Sequence, residues 1–425
     1  MNLKIDNFAK VYQADIKING ITVIAGENNT GKSTIGKILF SLFNSMSEFD
    51  TRIEKQQIEE IEKTLYGMAK AEYPSIRDYF DQIGFDDVIA PLQALKRPNI
   101  NGVYKILEKR LFSFLEHLPL AGSSALLCKK MSQRVYAIMA LPENTLKAEV
   151  LTRYFGDVFH HQINSLTEDS VAKLLLTVQG KSITVNFTNN ACSTNNADFS
   201  LTHKAIYIDN PFILDTLATS GAIKESLIES TLKTLLTKTS IDIMDGIIDS
   251  VIVKEKLREV YKTLHMIIPG DIVEKQNREF YLQDTEFTDP VAVSNLSAGL
   301  KSFAIIKLLL EKGAIKEKDV LILDEPEIHL HPQWQIAYAE LIVLLQKYFD
   351  LSIIITTHSP YFLDAIDLFS VKHGIADNAN YYLSEMEESK VKMLDVTDNI
   401  ELIYRKMVSP IETLDTLRHE LNSEE

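Results

Sequence analysis

The chain has 425 residues, 45% of them hydrophobic, and is therefore long enough to bury a large core in one elaborated domain or two. Its 44 basic and 59 acidic side chains give a formal net charge of −15, which argues against wholesale binding of nucleic acid, although a local basic groove could exist within an acidic total. The two cysteines form neither a C-x-x-C motif nor a disulfide framework, which is typical of a reducing compartment and excludes a structural zinc site based on cysteine.

The amino-terminal segment alternates apolar and polar residues like a strand, and it lacks the apolar core of a signal peptide. No uninterrupted apolar run approaches the ~20 residues needed to span a bilayer. We therefore expect a cytoplasmic protein without a membrane partner.

Residues 1–46 are predicted to form a β-hairpin unit that leads into a phosphate loop. The β-like run 21–25 is followed directly by Gly-x-x-x-x-Gly-Lys-Ser at 26–33. Glycines let consecutive backbone N–H groups surround a β-phosphate, and the next helix presents its positive end to the same anion. Lys32 would reach the β- and γ-phosphates, and the Ser33 hydroxyl would bind Mg²⁺. The predicted triphosphate-binding residues are Gly26, Glu27, Asn28, Asn29, Thr30, Gly31, Lys32, Ser33 and Thr34.

The middle of the chain contains no recognisable nucleotide chemistry. Residues 47–170 have a helical, polar-faced pattern whose periodicity is too broken for long coiled-coil arms, and we expect this insertion to form a dimer or partner surface. Residues 171–212 return to the domain that contains the phosphate loop, through a β-hairpin and a buried strand, with a polar surface loop expected at 189–198. Residues 213–270 are predicted to form a helical subdomain, and residues 271–425 to form the remainder of the domain that contains the phosphate loop.

Two adjacent carboxylates follow a buried strand in the last third of the chain. Four aliphatic residues at 320–323 lead into Asp324 and Glu325. Adjacent acids at a strand end are usually only solvated, but the phosphate loop upstream favours a catalytic role. We predict that Asp324 holds the Mg²⁺ shell and that Glu325 polarises the attacking water.

Two further motifs flank this acidic pair. The segment 295–301, Asn-Leu-Ser-Ala-Gly-Leu-Lys, opens a helix at Ser297, and its hydroxyl, small residues and helix N-terminus form a second anion-binding surface. Serine and glycine before a helix also make an ordinary cap, so the position just upstream of the acids strengthens this prediction. The apolar strand 353–356 leads to His358. A lone histidine at a strand end is more often structural, but here it stands where a γ-phosphate sensor belongs.

The order of these four motifs resembles that of ATP-binding-cassette (ABC) ATPases of the SMC/Rad50 branch. More narrowly, the sequence at 324–332 together with Thr-His-Ser-Pro at 357–360 resembles the overcoming-lysogenisation-defect (OLD) type of AAA family ATPase, which includes ATPase subunits of the anti-phage systems Septu, PARIS and Gabija. The resemblance covers about the first 45 residues and 291–363. It implies an α/β fold, namely an ABC-type P-loop NTPase head with an antiparallel β N-lobe and a large helical insertion.

The resemblance also implies a head-to-tail homodimer that encloses ATP and Mg²⁺ between two protomers. Ser297 and Gly299 of one protomer would close on the γ-phosphate held by the other. Lys32, Glu325 and His358 would be the catalytic residues, with Ser33 and Asp324 as the metal ligands. ATP would join the dimer and hydrolysis would release it.

The signature segment and the loop after the acidic pair depart from the cassette pattern. Ala298 and Leu300 stand where signatures usually have Gly and Gln or Glu, while Lys301 fits the Rad50-like ending. His331 replaces the usual Asp of the following loop, so communication between protomers is expected to differ.

No glutamine ends the strand 205–208, so Asp209 or Asn210 is the candidate for the metal-coordinating lid. His329 and His331 alternate on an extended segment without a third ligand, which favours structural histidines over a metal pair.

Two classes of function are compatible with these motifs. OLD nucleases have a carboxy-terminal TOPRIM domain, but residues 359–425 show no Asp-x-Asp strand end, so we expect an ATPase that controls a separately encoded effector, such as a nuclease, in anti-phage defence. The alternative is a RecF-like DNA-repair ATPase that acts directly on DNA. The net charge of −15 and the lack of a Lys/Arg-rich stretch favour the first class. A third possibility is an ATP-dependent scaffold that barely turns over.

Overall fold

The computed structural model describes most of the chain and divides it into two compact units. The first unit comprises Met1–Ser47 and Val150–Glu425, and the second comprises Glu48–Glu149. The described residues are 1–72, 86–95, 98–112, 124–165, 170–217, 225–237, 257–275, 279–283, 289–388 and 390–423.

The described residues contain strands that form two sheets. The strands are β1 (Asn2–Phe8), β2 (Val11–Lys17), β3 (Ile21–Gly26), β4 (Ala172–Val178), β5 (Lys181–Thr188), β6 (Ala191–Ala197), β7 (Ala205–Ile208), β8 (Asp271–Glu274), β9 (Phe280–Gln283), β10 (Val291–Ala292), β11 (Val320–Asp324), β12 (Ser352–Thr357), β13 (Ala379–Glu387) and β14 (Lys390–Asp395). The main sheet has the order β6-β5-β4-β1-β2-β14-β13-β3-β12-β11-β7, and β8 to β10 form a small separate sheet.

Helices occupy much of the remaining described chain. They are α1 (Lys32–Met46), α2 (Phe49–Glu72), α3 (Asp86–Gln93), α4 (Ile100–Leu107), α5 (Ser124–Met139), α6 (Glu143–Val158), α7 (Leu227–Thr237), α8 (Arg258–Ile267), α9 (Ala298–Glu311), α10 (Pro332–Phe349), α11 (Pro360–Lys372) and α12 (Glu401–Ser423). Short 3₁₀ turns cover Pro211–Thr216, Val293–Asn295 and Ala376–Asn378, and a π-helical turn covers Glu108–Phe112. No helix in these ranges is both long and apolar enough to cross a membrane.

Five parallel strands at one side of the main sheet place the predicted motifs next to one another. β13, β3, β12, β11 and β7 run parallel, and Asp324 of β11 pairs with Thr356 of β12 while Thr357 pairs with Ala25 of β3. Parallel strands end at a common edge, which is where open α/β sheets bind ligands. The phosphate loop, the acidic pair and His358 therefore lie at one edge.

Both faces of these strands are covered, which explains why they are almost continuously apolar. Ile35, Ile38 and Leu39 of α1 pack on one face in a core that includes Ile322 and Ile354. The opposite face is covered by apolar residues of α9, α10 and α11. The parallel strands therefore lie between two apolar cores.

The other side of the sheet is largely antiparallel, with β1 between β2 and β4 and with β5 between β4 and β6. The predicted α/β class with an antiparallel N-lobe is confirmed. The surface loop expected at 189–198 is wrong, because residues 191–197 form β6. This strand lies at the sheet edge and is mostly exposed, so its backbone hydrogen bonds to β5 outweigh the weak strand propensity of Asn, Ser and Thr.

The second unit is helical and has its own apolar core. Buried residues from α2, α3, α4 and α5 form one cluster around Leu65, Val103 and Met131. The polar-faced helical insertion expected from the sequence is consistent with these helices, and its proposed role as a dimer or partner surface remains a prediction.

Candidate nucleotide site

The phosphate loop follows β3 and relies on glycines where other residues would clash. Gly26 has a φ of 152°, and a Cβ there would lie 2.6 Å from the carbonyl oxygen of Ser384 on β13. Gly31 adopts the left-handed conformation, with a φ of 73°, at the start of α1. The loop is held from β13, because the Ser384 hydroxyl donates a hydrogen bond to the Thr30 carbonyl at 2.5 Å. Ser384 was not identified from the sequence.

Lys32 is folded over the loop that precedes it. Its side chain is 4% exposed, and its Nζ donates to the carbonyl oxygens of Gly26 at 3.0 Å and Glu27 at 2.8 Å. The ammonium is therefore held at the centre of the loop, where it can meet the phosphates of a nucleotide.

Ser33 and Asp324 lie side by side although 291 positions separate them in the chain. The Ser33 hydroxyl donates to Oδ1 of Asp324 at 2.9 Å. Hydroxyl and carboxylate oxygens are the hard ligands that Mg²⁺ prefers. The chemistry of this donor pair therefore fits the metal that was expected here.

Glu325 lies between the ammonium group of Lys32 and the imidazole ring of His358. Its Oε1 is 3.7 Å from the Lys32 Nζ and 3.5 Å from the His358 Nδ1. Its backbone has a φ of 50°, which is uncommon for a residue other than glycine, and its N–H donates to the Thr356 hydroxyl at 3.0 Å. This turn directs a carboxylate that is 23% exposed toward the phosphate loop.

The signature segment is arranged as a helix N-terminus. Ser297 caps α9, because its Oγ accepts a hydrogen bond from the Leu300 N–H at 3.4 Å. Gly299 is buried, and a Cβ there would lie 3.0 Å from the ring of Trp334. Lys301 is 3% exposed and pairs with Asp215 at 2.7 Å. Ser297 is exposed to solvent. The one hydrogen bond described for its side chain is this bond within its own helix.

The polar residues after β7 and the two histidines after β11 have local roles. The Oδ1 of Asn210 accepts a hydrogen bond from the Phe212 N–H at 2.9 Å. Burial and the nearby charge of Asp324 raise the pKa of Asp209. His331 caps α10 and His329 packs edge-on against the Phe212 ring. Among the described residues no group of three or more His, Cys, Asp or Glu side chains could hold a metal ion. The lid role of Asp209 or Asn210 remains a prediction.

Comparison with known proteins agrees with this arrangement. Residues 243–364 match a family model described as "AAA domain, putative AbiEii toxin, Type IV TA system". The matched residues include Ser297, Asp324, Glu325 and His358. The Septu protein PtuA of Bacillus thuringiensis is 34% identical over 105 residues, which are 21% of this chain and 26% of that protein. The match thus spans about a quarter of that relative's length.

The solved structures that resemble this chain share little sequence identity with it. The SMC head domain from Thermotoga maritima has 12% identity and a TM-score of 0.36, covering 93% of this chain and 98% of that chain. An Smc head bound to the C-winged helix domain of ScpA has 11% identity and a TM-score of 0.42, covering 93% and 97%.

Besides Ser384, two more residues that contact the predicted site were not identified from the sequence. Tyr207, on β7, donates its hydroxyl to Oδ2 of Asp324 at 2.6 Å. Burial, together with the Asp324 charge, raises the pKa of Tyr207 well above its ordinary value, so the hydroxyl remains a donor. The strand 205–208 was predicted, but its position beside β11 could not be read from the sequence.

The second such residue is Glu327, which is 2% exposed. Its Oε1 accepts hydrogen bonds from the Thr357 hydroxyl at 2.5 Å and from the His358 N–H at 3.1 Å. Its Oε2 has no hydrogen-bond partner among the described residues, and burial raises the pKa of its carboxyl. Glu327 therefore ties the loop after β11 to the backbone that presents His358.

The raised pKa of Glu327 predicts a stability change that depends on pH. Below about pH 4.5, its ordinary pKa, the carboxyl is protonated in folded and unfolded chains alike. As the pH rises, the unfolded chain loses this proton first, so the folded state loses stability until the pH exceeds the raised value. Glu327→Gln, which cannot ionise, should therefore melt at an increasingly higher temperature relative to the native chain as pH increases from 4.5 toward neutrality.

Thermal melts of both chains across this pH range check the prediction. Glu317→Gln is the control, because Glu317 is exposed and its replacement should leave the pH dependence unchanged. A Glu327→Gln curve parallel to that of the native chain would contradict the assignment.

Proposed function

We propose that this chain binds Mg-ATP and hydrolyses it as a head-to-tail dimer. The observation that supports this function best is that Lys32 Nζ and His358 Nδ1 both lie within 3.7 Å of Glu325 Oε1, in the site that also contains the Ser33–Asp324 pair. These are the groups that phosphoryl transfer requires, since its catalysis consists mainly of positioning and charge stabilisation.

Each side chain has a distinct task in this proposal. Lys32 binds the β- and γ-phosphates, and Ser33 and Asp324 hold Mg²⁺. The metal, when bound, neutralises charge on the phosphate oxygens. Glu325 accepts a hydrogen bond from the attacking water and orients it, while His358 donates to the γ-phosphate.

The second half of the site comes from another copy of the chain. Ser297 is exposed at the N-terminus of a long helix, where a hydroxyl and the helix dipole favour an anion. Contacts that ATP makes only in the closed dimer would favour that state, and their loss on hydrolysis would favour separation. ATP then controls association, and the cycle acts as a conformational switch.

The switch is proposed to control a separately encoded effector, such as a nuclease, in defence against phage. The similarity to the Septu protein PtuA supports this role, as does the net charge of −15. In the alternative, a RecF-like repair ATPase, the chain acts directly on DNA.

Phosphate release and molar mass test the proposed function together. The purified chain should hydrolyse ATP only with Mg²⁺, double its mass when a non-hydrolysable ATP analogue is added, and show little change in rate with duplex DNA. Strong stimulation by DNA would support the repair alternative.

In cells that contain the gene and its genomic neighbours, Lys32→Ala should abolish protection in a phage plating assay, and unchanged protection would contradict the defence role.

A further inference from the structure

Three hydroxyl groups from three different elements surround the carboxylate of Asp324. Ser33 at the start of α1 and Thr356 of β12 donate to Oδ1, at 2.9 and 2.5 Å. Tyr207 of β7 donates to Oδ2 at 2.6 Å. An ionised carboxylate has about four acceptor positions on its two oxygens. Three of them are therefore in use, and about one remains on Oδ2.

The ring of Tyr207 is buried and packs against β11 and α1. Tyr207 is 1% exposed and pairs with Ile322 on the neighbouring strand, two residues before Asp324 on the same face. Its ring packs edge-on against Phe40 of α1, with centroids 6.1 Å apart. A Cβ at Gly36 would lie 3.1 Å from this ring and 2.7 Å from Ile322, so the absence of a side chain there provides the space that the ring occupies.

The number of free acceptor positions on Asp324 affects which cation can bind. Mg²⁺ needs near-ideal octahedral geometry, keeps several waters and uses one or two carboxylates, whereas Ca²⁺ takes six to eight oxygens and readily binds a carboxylate through both. With Oδ1 fully occupied and Oδ2 half occupied, Asp324 cannot bind a cation through both oxygens.

We propose that Tyr207 is a positioning residue that holds the Asp324 carboxylate so that its one free acceptor position, on Oδ2, is available to Mg²⁺. This inference rests on the proposed Mg-ATP function. Tyr207 acts through Asp324 and does not itself bind the metal. Its hydroxyl matters because it donates to Oδ2, and its ring matters because its packing fixes the position of that hydroxyl.

Nucleotide binding tests the role of Tyr207 without relying on turnover. A fluorescent ATP analogue is titrated at increasing Mg²⁺ concentration in the Glu325→Gln chain, and then in the same chain with Tyr207→Phe. Phenylalanine keeps the ring but removes the hydroxyl that donates to Oδ2. The half-saturating Mg²⁺ concentration should rise by about tenfold, the lower end of the effect typical for residues that orient metal ligands.

Tyr382→Phe is the matched control, because Tyr382 is also fully buried in the main sheet and its hydroxyl accepts from the Lys17 N–H at 2.9 Å. It should leave the half-saturating Mg²⁺ concentration unchanged. Mg²⁺-dependent binding with the same half-saturating concentration in the Tyr207→Phe chain would overturn the role of Tyr207 alone. Binding that does not respond to Mg²⁺ in the parent chain would overturn the proposed function and this inference with it.

Discussion

Glu325→Gln is expected to reduce Mg-ATP hydrolysis by about 10²–10⁴-fold, the usual contribution of a general base. Glutamine has nearly the same shape, so it can keep the position beside Lys32 and His358, but it cannot accept a proton from water. Because Lys32 and Ser33 are untouched, ATP binding should persist. Steady-state phosphate release and binding of a fluorescent ATP analogue measure the two effects separately.

The same substitution should trap the dimer. When ATP is bound but not cleaved, the contacts that join the protomers are retained, and light scattering should show a stable mass of two chains only with ATP. Adding Lys32→Ala to Glu325→Gln is the control and should prevent the ATP-dependent increase. An identical mass with and without ATP would rule out the nucleotide sandwich.

Two inactive variants should restore each other when they are mixed. Lys32→Ala removes the phosphate contact of one half-site, and Ser297→Glu places a carboxylate against the γ-phosphate of the partner copy while remaining compatible with a helix N-terminus. In a mixed dimer, one of the two sites combines an intact Lys32 with an intact Ser297. Random exchange should therefore recover about a quarter of the native hydrolysis rate, because half of the dimers are mixed and each has one intact site.

The control for this mixing experiment uses a chain that carries both substitutions. Mixing that chain with Lys32→Ala leaves no site with a functional phosphate loop, so no activity should return. Pull-down of differently tagged chains verifies that mixed dimers form. Failure to recover hydrolysis in verified mixed dimers of the two single variants would show that Ser297 does not act across protomers.

The individual motifs could be predicted because each is encoded locally. The phosphate loop, its strand and its helix are contiguous, and β11 and β12 are short apolar runs that end in polar residues. The β-hairpin of β4 and β5 was likewise predicted from alternation and a turn. β6 was missed, since its residues have weak strand propensity and only pairing with β5 makes them a strand.

The contacts that tune the site could not be predicted in this way. Tyr207 reaches Asp324 only because β7 lies next to β11, and Ser384 reaches the phosphate loop only because β13 lies next to β3. The residues around Glu327 are typical of a loop, but its carboxylate is buried and accepts hydrogen bonds from Thr357 and from the His358 N–H. Strand order is a long-range property that periodicity does not reveal.

Local residue patterns were enough to predict a phosphate loop, an acidic pair, a signature segment and a histidine in the order of an ABC-type ATPase, since each depends on neighbouring residues and backbone geometry. The three-dimensional structure was needed for the distances of Lys32 and His358 from Glu325 and for the three hydroxyl groups that donate to Asp324. Hydrogen bonds between distant residues require a sheet order, and that order is set by the packing of both faces rather than by any one segment.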